Sequence, residues 1–280
     1  MTKQTLHAPF EIEYKTLNES TAEGHQHLFF ELVYIIAGTG VQCINGSKFN
    51  YKANHMFLIT PEDCHSFEIE TTTDFFFLRF NDIYIRHGTL QTDNVQRLEY
   101  ILQNANHQPG CILKNQPDKM LVRPMIDAIH REYEHRDLYN KDLIQQLVNT
   151  LIVVVARNIA RYMPAGLSEK ADDKTLDILN YIQRNIYSPE KIRAESVSRH
   201  FNISENYLGK YFKKQTNQTL QQYITTCRTK LIEARLMHSD MRLNEIAHEL
   251  GFTDESHLNK FFRKNKGVNP RAYRAGVATK

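Results

Sequence analysis

The chain has 280 residues, a formal net charge of +3, 41% hydrophobic and 24% charged residues, the balance of an ordinary soluble globular protein with room for one large or two ordinary domains. Residues 1–167 hold 15 Lys+Arg against 19 Asp+Glu, and residues 168–280 hold 20 against 13, so a mildly acidic half precedes a basic half suited to a polyanion. The four cysteines (Cys43, Cys64, Cys111, Cys227) are scattered without CxxC spacing, which argues against a zinc knuckle or a disulfide framework and for reduced thiols in the cytosol.

The N-terminal MTKQTLHAPFEIEYK has no apolar signal core. The greasiest run, Leu151 to Ala156, falls well short of the roughly 20 residues that span a bilayer, so a cytoplasmic protein without membrane contact is expected. From Phe29 to about Phe80 the chain reads FFELVYIIAG, VQCING, KFNYKANHMFLITP, HSFEIE and TDFFFLRF, short aromatic and β-branched runs broken by Gly38, Gly40, Asn45-Gly46, Asn54 and Pro61. Asn45-Gly46 suits a hairpin because both residues tolerate positive φ. Many short strands between frequent turns indicate an all-β barrel or sandwich.

A helical period takes over from Asp93. One stripe runs through Val95, Leu98, Ile101 and Leu102, a second through Met125, Ile126, Ile129 and Tyr133, and a third from Ile144 through Leu147, Val148, Leu151, Ile152 and Val155 to Ile159. The third helix is apolar around most of its circumference and must be covered on more than one side, either by its own barrel or by a second copy across a dimer seam. Residues 164–173, PAGLSEKADD, have no period and read as an interdomain linker. All that follows is helical, with turns at Ser188-Pro189, Asn202, Asn217 and Gly251.

That helical half repeats itself. Val197–Tyr223 superposes on Ile246–Tyr273 with a one-residue insertion in the second turn: Val197 meets Ile246, Phe201 meets Leu250, Lys210 meets Lys260, Phe212 meets Phe262, Asn217 meets Gly267 and Tyr223 meets Tyr273. Each copy reads as a helix-turn-helix. In the second, Leu243, Ile246, Ala247 and Leu250 form the inner stripe, Gly251 ends the first helix, Asp254 caps the next, and Leu258, Phe261 and Phe262 turn inward. Glu255, Ser256, Asn259 and Lys260 are left facing out. In the first, Ser204 is the cap, Leu208, Tyr211 and Phe212 face inward, and Glu205, Asn206, Gly209 and Lys210 face out. A polar helix held at such a turn can place its N-terminal half in a DNA major groove.

Leu220 to His238 has the period of a rigid helix linking the two readers, which consecutive major-groove faces about 34 Å apart would require. Lys213, Lys214, Arg228, Arg263, Lys264 and Arg271 are available for phosphates. A DNA binder without sequence preference would use the same charges.

Residues 174–274 resemble the AraC/XylS family of bacterial transcription regulators, through Ile246-Ala247, Gly251-Phe252, Phe262-Arg263-Lys264, Gly267, Pro270, Tyr273-Arg274 and the stretch YLGKYFKK at 207–214. The resemblance implies that Asn206, Gly209, Lys210, Glu255, Ser256, Asn259 and Lys260 face bases. Two departures stand out. Asn217 replaces a usual Gly, and Gly209 offers no side chain at a usual contact position, so the first copy is expected to read fewer bases. Glu255 can only accept, for example from cytosine.

His25, His27, Glu31 and Gly38 form a pattern that resembles the first motif of the cupin barrel, and Pro61-Glu62-Asp63-Cys64-His65 looks like a shortened second motif. In metal cupins the matching His25, His27, Glu31 and His65 would be ligands, and three imidazoles with a carboxylate suit iron, manganese, zinc or copper. A polar pocket would use the same residues. Barrels in these regulators serve as sensor or dimerisation domains, so the four residues are taken as an effector pocket with no metal or other cofactor. Phe30, Tyr34, Phe57 and Phe76 line that pocket or fill the core.

The expected protein is therefore α+β. Residues 1–163 form a cupin-like barrel with trailing helices that senses an effector or mediates dimerisation, 164–173 are a linker, and 174–280 are an all-α DNA-binding domain with two helix-turn-helix motifs joined by a linking helix. The expected function is a sequence-specific transcription regulator, not an enzyme. Its expected partners are promoter DNA, an unidentified small molecule, RNA polymerase and a second copy of the chain, and activation is the more common sign in the family. The rival reading is a metal-dependent cupin enzyme with an accessory DNA-binding tail.

Overall fold

The computed structural model describes residues 6, 8–20, 24–61, 63–87, 98, 100–102, 110–161 and 173–278. Contacts divide the chain into two compact units, Met1–Tyr162 and Met163–Lys280. The expected linker at 164–172 and Val95 lie outside the described residues, and Asp173 already opens a helix.

Unit one holds seven strands: β1 (Phe10–Leu17), β2 (Phe30–Ala37), β3 (Thr39–Ile44), β4 (Ser47–Lys52), β5 (Met56–Ile59), β6 (His65–Ile69) and β7 (Thr73–Phe80). They form two antiparallel sheets ordered β1-β7-β2-β5 and β4-β3-β6. β1 was not anticipated, although FEIEYKTL places Phe10, Ile12 and Tyr14 at period two. It pairs along its full length with β7. The single run KFNYKANHMFLITP is in fact two strands, separated where Asn54 takes φ 67°. Asn45 and Gly46, at φ 48° and 75°, make the two-residue hairpin between Ile44 and its partner Ser47.

β2 is buried on both faces, with Phe30 to Ile35 all inaccessible. Its odd residues Val33 and Ile35 join Phe57, Ile59, Phe75 and Phe77 against Phe49, Tyr51 and Phe67 of the facing sheet. Its even residues pair with Phe76, Leu78 and Phe80 on the outer face. Helices reach that outer face: α1 (Asp82–His87), α2 (Gln116–His135) and α3 (Asn140–Ala160). The Tyr14 hydroxyl donates to Ile126 O at 3.0 Å, and the Tyr84 hydroxyl donates to Asn149 Oδ1 at 2.6 Å. The start of α2 is tied to the end of α3 by Asp118, which accepts from Arg157 and, at 2.7 Å, from Asn158 Nδ2. The α2 stripe ends sooner than expected, because Tyr133 is 45% exposed.

The length of α3 corrects the view that no segment could cross a bilayer. Asn140–Ala160 is long and apolar enough to do so by composition, with mean hydropathy 1.5 over 18 residues. Most of that window is buried within unit one, and Asn149 and Asn158 are buried and hydrogen-bonded inside it, as in a core helix.

The described residues of unit two form helices and the turns between them: α4 (Asp173–Arg184), α5 (Ala194–His200), α6 (Glu205–Thr216), α7 (Leu220–His238), α8 (Leu243–Glu249), α9 (Glu255–Lys266) and α10 (Pro270–Ala278). The repeat is reproduced bond for bond. In the first copy Ile203 N donates to Ser198 O and Asn202 N to Arg199 O; in the second Phe252 N donates to Ala247 O and Gly251 N to His248 O. This pair of bonds closes a helix around a left-handed residue, here Asn202 at φ 52° and Gly251 at φ 65°. Ser204 Oγ accepts from Tyr207 N at 3.2 Å, and Asp254 Oδ1 accepts from His257 N at 2.7 Å, so both recognition helices are capped alike. Asn217 and Gly267 end them in the left-handed region. Phe212 packs edge-on against Tyr223, and Phe262 against Tyr273.

Candidate functional site

The two recognition helices are α6 and α9. Leu208, Phe212, Leu258 and Phe262 are fully buried, with Tyr211 and Phe261 half-buried beside them. That fixes the rotation of each helix about its axis. Asn206, Gly209 and Lys210 of α6 are exposed together. In α9, Ser256 and Lys260 are exposed, and Glu255 and Asn259 are half-buried. In the first copy Asn206, Gly209, Lys210 and Lys213 border a groove of about 490 Å³ whose other walls are Ala194 of α5 and Thr219 to Gln221 at the start of α7.

The expected phosphate contacts divide. Lys213, Lys214, Arg263 and Lys264 are exposed in the last turns of α6 and α9. Positive charge there is also favoured by the negative end of the helix dipole, so local stability alone would tolerate them. Arg271 is 80% exposed at its side chain and donates to Glu255 Oε1 at 3.0 Å. It holds one of the expected base readers rather than standing alone.

Arg228 is a correction. Its guanidinium lies 4.1 Å from the Phe252 ring centre and 5.6 Å from that of Phe261, and its Nη2 donates to Leu250 O at 2.6 Å. Burial pushes its pKa down. A guanidinium stacked on two aromatic rings and bonded to a helix-terminal carbonyl fastens α7 to the second turn and is not turned to solvent phosphates. Sequence periodicity marked Arg228 only as a basic residue on a helix; its partners lie on other elements.

Two exposed arginines escaped the sequence reading. Arg193 and Arg242 occupy the N-cap of the first helix in each copy, at matching φ and ψ of −65°, 147° and −71°, 156°. The repeat alignment extended four residues toward the N-terminus would have found them. Tyr207 is also half exposed on α6, stacked on Tyr211 with Lys174 Nζ 5.3 Å from its ring centre.

In unit one, His27, Glu31 and His65 are 1–2% exposed and their ligand atoms lie within 4.8 Å of one another. His65 Nε2 is 3.1 Å and His27 Nε2 3.8 Å from Glu31 Oε2, while Arg79 Nε donates to Glu31 Oε1 at 2.7 Å. Arg79 also reaches Glu13 Oε2 at 2.8 Å. Burial alone would raise the Glu31 pKa, but His27, His65 and Arg79 outweigh it and hold the carboxyl well below the usual range.

His25 departs from the expected quartet. It is exposed, and it meets His65 through a pair of backbone hydrogen bonds at 3.1 Å and a ring contact at 4.1 Å. Its pKa is lowered by burial of part of the ring and by His65. His65 reaches the cluster despite the shortened second motif, because Asp63 anchors the preceding loop. Asp63 accepts from Thr60 N, Thr60 Oγ1 and Asn45 Nδ2 at 2.7–2.8 Å. By donor type, His27, Glu31 and His65 could hold a divalent first-row cation. The Nδ1 atoms of both histidines have no hydrogen-bond partner among the described residues, while both Nε2 atoms face Glu31 Oε2, to which Arg79 also brings positive charge.

The aromatics do not line one pocket. Phe30, Tyr34 and Phe76 share the outer face of their sheet, Phe57 lies on the inner face, and all four are at most 1% exposed, as packed core.

Residues 8–148 match the family model of AraC-like ligand binding domains, and residues 197–276 match a helix-turn-helix domain model. The HTH-type transcriptional activator RhaR of Cronobacter sakazakii is 28% identical over 250 residues, 89% of this chain and 86% of that protein. The activator RhaS of an Enterobacter species is 26% identical over 274 residues, 96% of this chain and 93% of that protein. Among solved structures, the C-terminal domain of AraT, a response regulator from Geobacillus stearothermophilus, is 23% identical and superposes with a TM-score of 0.37 over 39% of this chain and 88% of that one. Both halves being matched, and in the order that the barrel and the duplicated helical unit occupy here, the chain belongs to the AraC/XylS family of DNA-binding transcription regulators.

Proposed function

We propose that the protein is an effector-controlled transcription activator that acts in the cytoplasm as a homodimer. The observation that carries the DNA-binding part is the duplication itself. Two recognition helices with the same caps, buried stripes and turn bonds leave their polar faces to solvent, joined by an α7 of 19 residues, about 28 Å long. Asn206 and Lys210 in one copy, and Glu255, Ser256, Asn259 and Lys260 in the other, are the base readers. Lys213, Lys214, Arg263 and Lys264 anchor the backbone. Relatives named as transcriptional activators support a positive sign of regulation and RNA polymerase as a partner.

The barrel is the sensor, with His27, Glu31 and His65 as the polar centre of its effector site and His25 at its edge. An effector works by binding two states of the protein unequally. Leu143 and Val153, exposed on α3 at 45% and 42%, support that helix as the dimer seam.

The test is selection of duplexes from a random pool by the full chain, with and without candidate small metabolites. A recovered preferred site whose affinity changes with a metabolite supports the reading. Equal affinity for every duplex at fixed salt overturns it.

A further inference from the structure

The first residue of each recognition helix is a glutamate, Glu205 in α6 and Glu255 in α9. A carboxylate at that place enters the negative field of any bound duplex and opposes binding unless it is compensated. The two copies differ in what stands opposite. Arg271, the second residue of α10, donates to Glu255 Oε1 at 3.0 Å. Its counterpart in the repeat, the second residue of α7, is the neutral Gln221, which shares a groove with Glu205. Among the described residues no basic side chain pairs with Glu205. Arg271 also sits against local preference, since the first turn of α10 holds no acidic residue and a cation at a helix N-terminus is disfavoured by the dipole.

We propose that Arg271 is a positioning residue that converts Glu255 from a repellent charge into a cytosine reader. The inference rests on the DNA-binding reading above. Arg271 neutralises the carboxylate and occupies one oxygen, which fixes the side chain and leaves Oε2 as an acceptor. Only cytosine suits a bare acceptor there. Its N4 amine donates, guanine and thymine offer acceptor oxygens in the groove, and the adenine amine stands beside the N7 acceptor that would repel a carboxylate. The first copy, without the arginine, carries no such reader.

The test uses the full chain and the duplex recovered by selection, with the four base pairs substituted in turn at each position. Wild type prefers cytosine at one position of the second half-site by about tenfold or more. Glu255→Gln keeps shape but adds a donor, so its preference at that position moves to adenine. Arg271→Ala binds more weakly than Glu255→Ala/Arg271→Ala, because the single change leaves an uncompensated carboxylate against the backbone. Gln221→Arg in the first copy raises affinity and adds a cytosine preference. Thermal melts of the same variants check folding.

If Arg271→Ala and the double variant lose affinity equally on all duplexes, with the salt slope lower by about one, Arg271 is a plain phosphate contact and the proposal falls. If wild type prefers no duplex, the regulator reading itself fails, a distinct outcome.

Discussion

At the turn between its two helices the first copy places Asn202 and the second Gly251, both left-handed. Only the second is crowded. Both residues are exposed, but a Cβ on Gly251 would stand 2.5 Å from Pro189 Cδ and 2.7 Å from Cγ, in the connection between α4 and α5, whereas the first turn already accommodates the Asn202 side chain. The outward faces differ in the same sense. The first copy presents Gly209 where the second presents Asn259, and Glu205 has no basic partner among the described residues where Glu255 pairs with Arg271. Duplication preserved the backbone because its hydrogen bonds and buried stripe are indifferent to what faces out. The outward residues are therefore free to differ, and in the second copy the turn is more closely packed and the outward face carries more polar side chains.

The largest effect that would break this contrast is at the turns. Gly251→Ala should cost about 2–4 kcal/mol in urea denaturation of the full chain, from strain and the Pro189 clash, while Asn202→Ala costs about 1 kcal/mol. Equal losses would mean the two turns are not packed differently. Arg228→Ala should destabilise by about 1–3 kcal/mol through lost stacking and a freed Leu250 carbonyl. Its salt slope for DNA binding should stay unchanged, and a slope lower by one would return Arg228 to the phosphate contacts.

Asn259→Ala and Lys260→Ala should each weaken specific binding by about 1–3 kcal/mol and relax one base position, with Asn206→Ala in the first copy costing less. Base-substituted duplexes in a binding titration check the asymmetry, which a larger loss from the first copy would reverse. The smallest effect is that of Lys213→Ala, which should weaken all duplexes alike and flatten the salt slope by about one.

Much of the layout was legible in the chain. The helix-turn-helix pair could be read because period, caps and left-handed turn residues are local features, stated twice. The strands from Phe30 to Phe80 were legible for the same reason. β1 was not, since its half-exposed FEIEYKTL lacks the dense apolar run of the others and declares itself only by pairing with β7. The two-face burial of Phe30, Tyr34, Phe57 and Phe76 depends on strand parity within a sheet covered on both sides, and composition does not carry parity.

Site residues followed the same division. The exposure of Lys210 and Lys260, and the partial exposure of Asn259, could be read from helix phase alone. Arg228, Arg271 and His25 could not, because each takes its role from a partner far along the chain: Leu250 and Phe252 for the first, Glu255 for the second, the backbone of His65 for the third. By itself the sequence determined the duplicated reader, its caps and its polar faces, since these depend on backbone preference and hydrophobic period over a few turns. Tertiary structure alone decided which basic side chains stay free of partners on other elements and which do not. A guanidinium is drawn to whichever carbonyl, ring or carboxylate folding brings within a few ångströms, and that choice is made between elements, not along them.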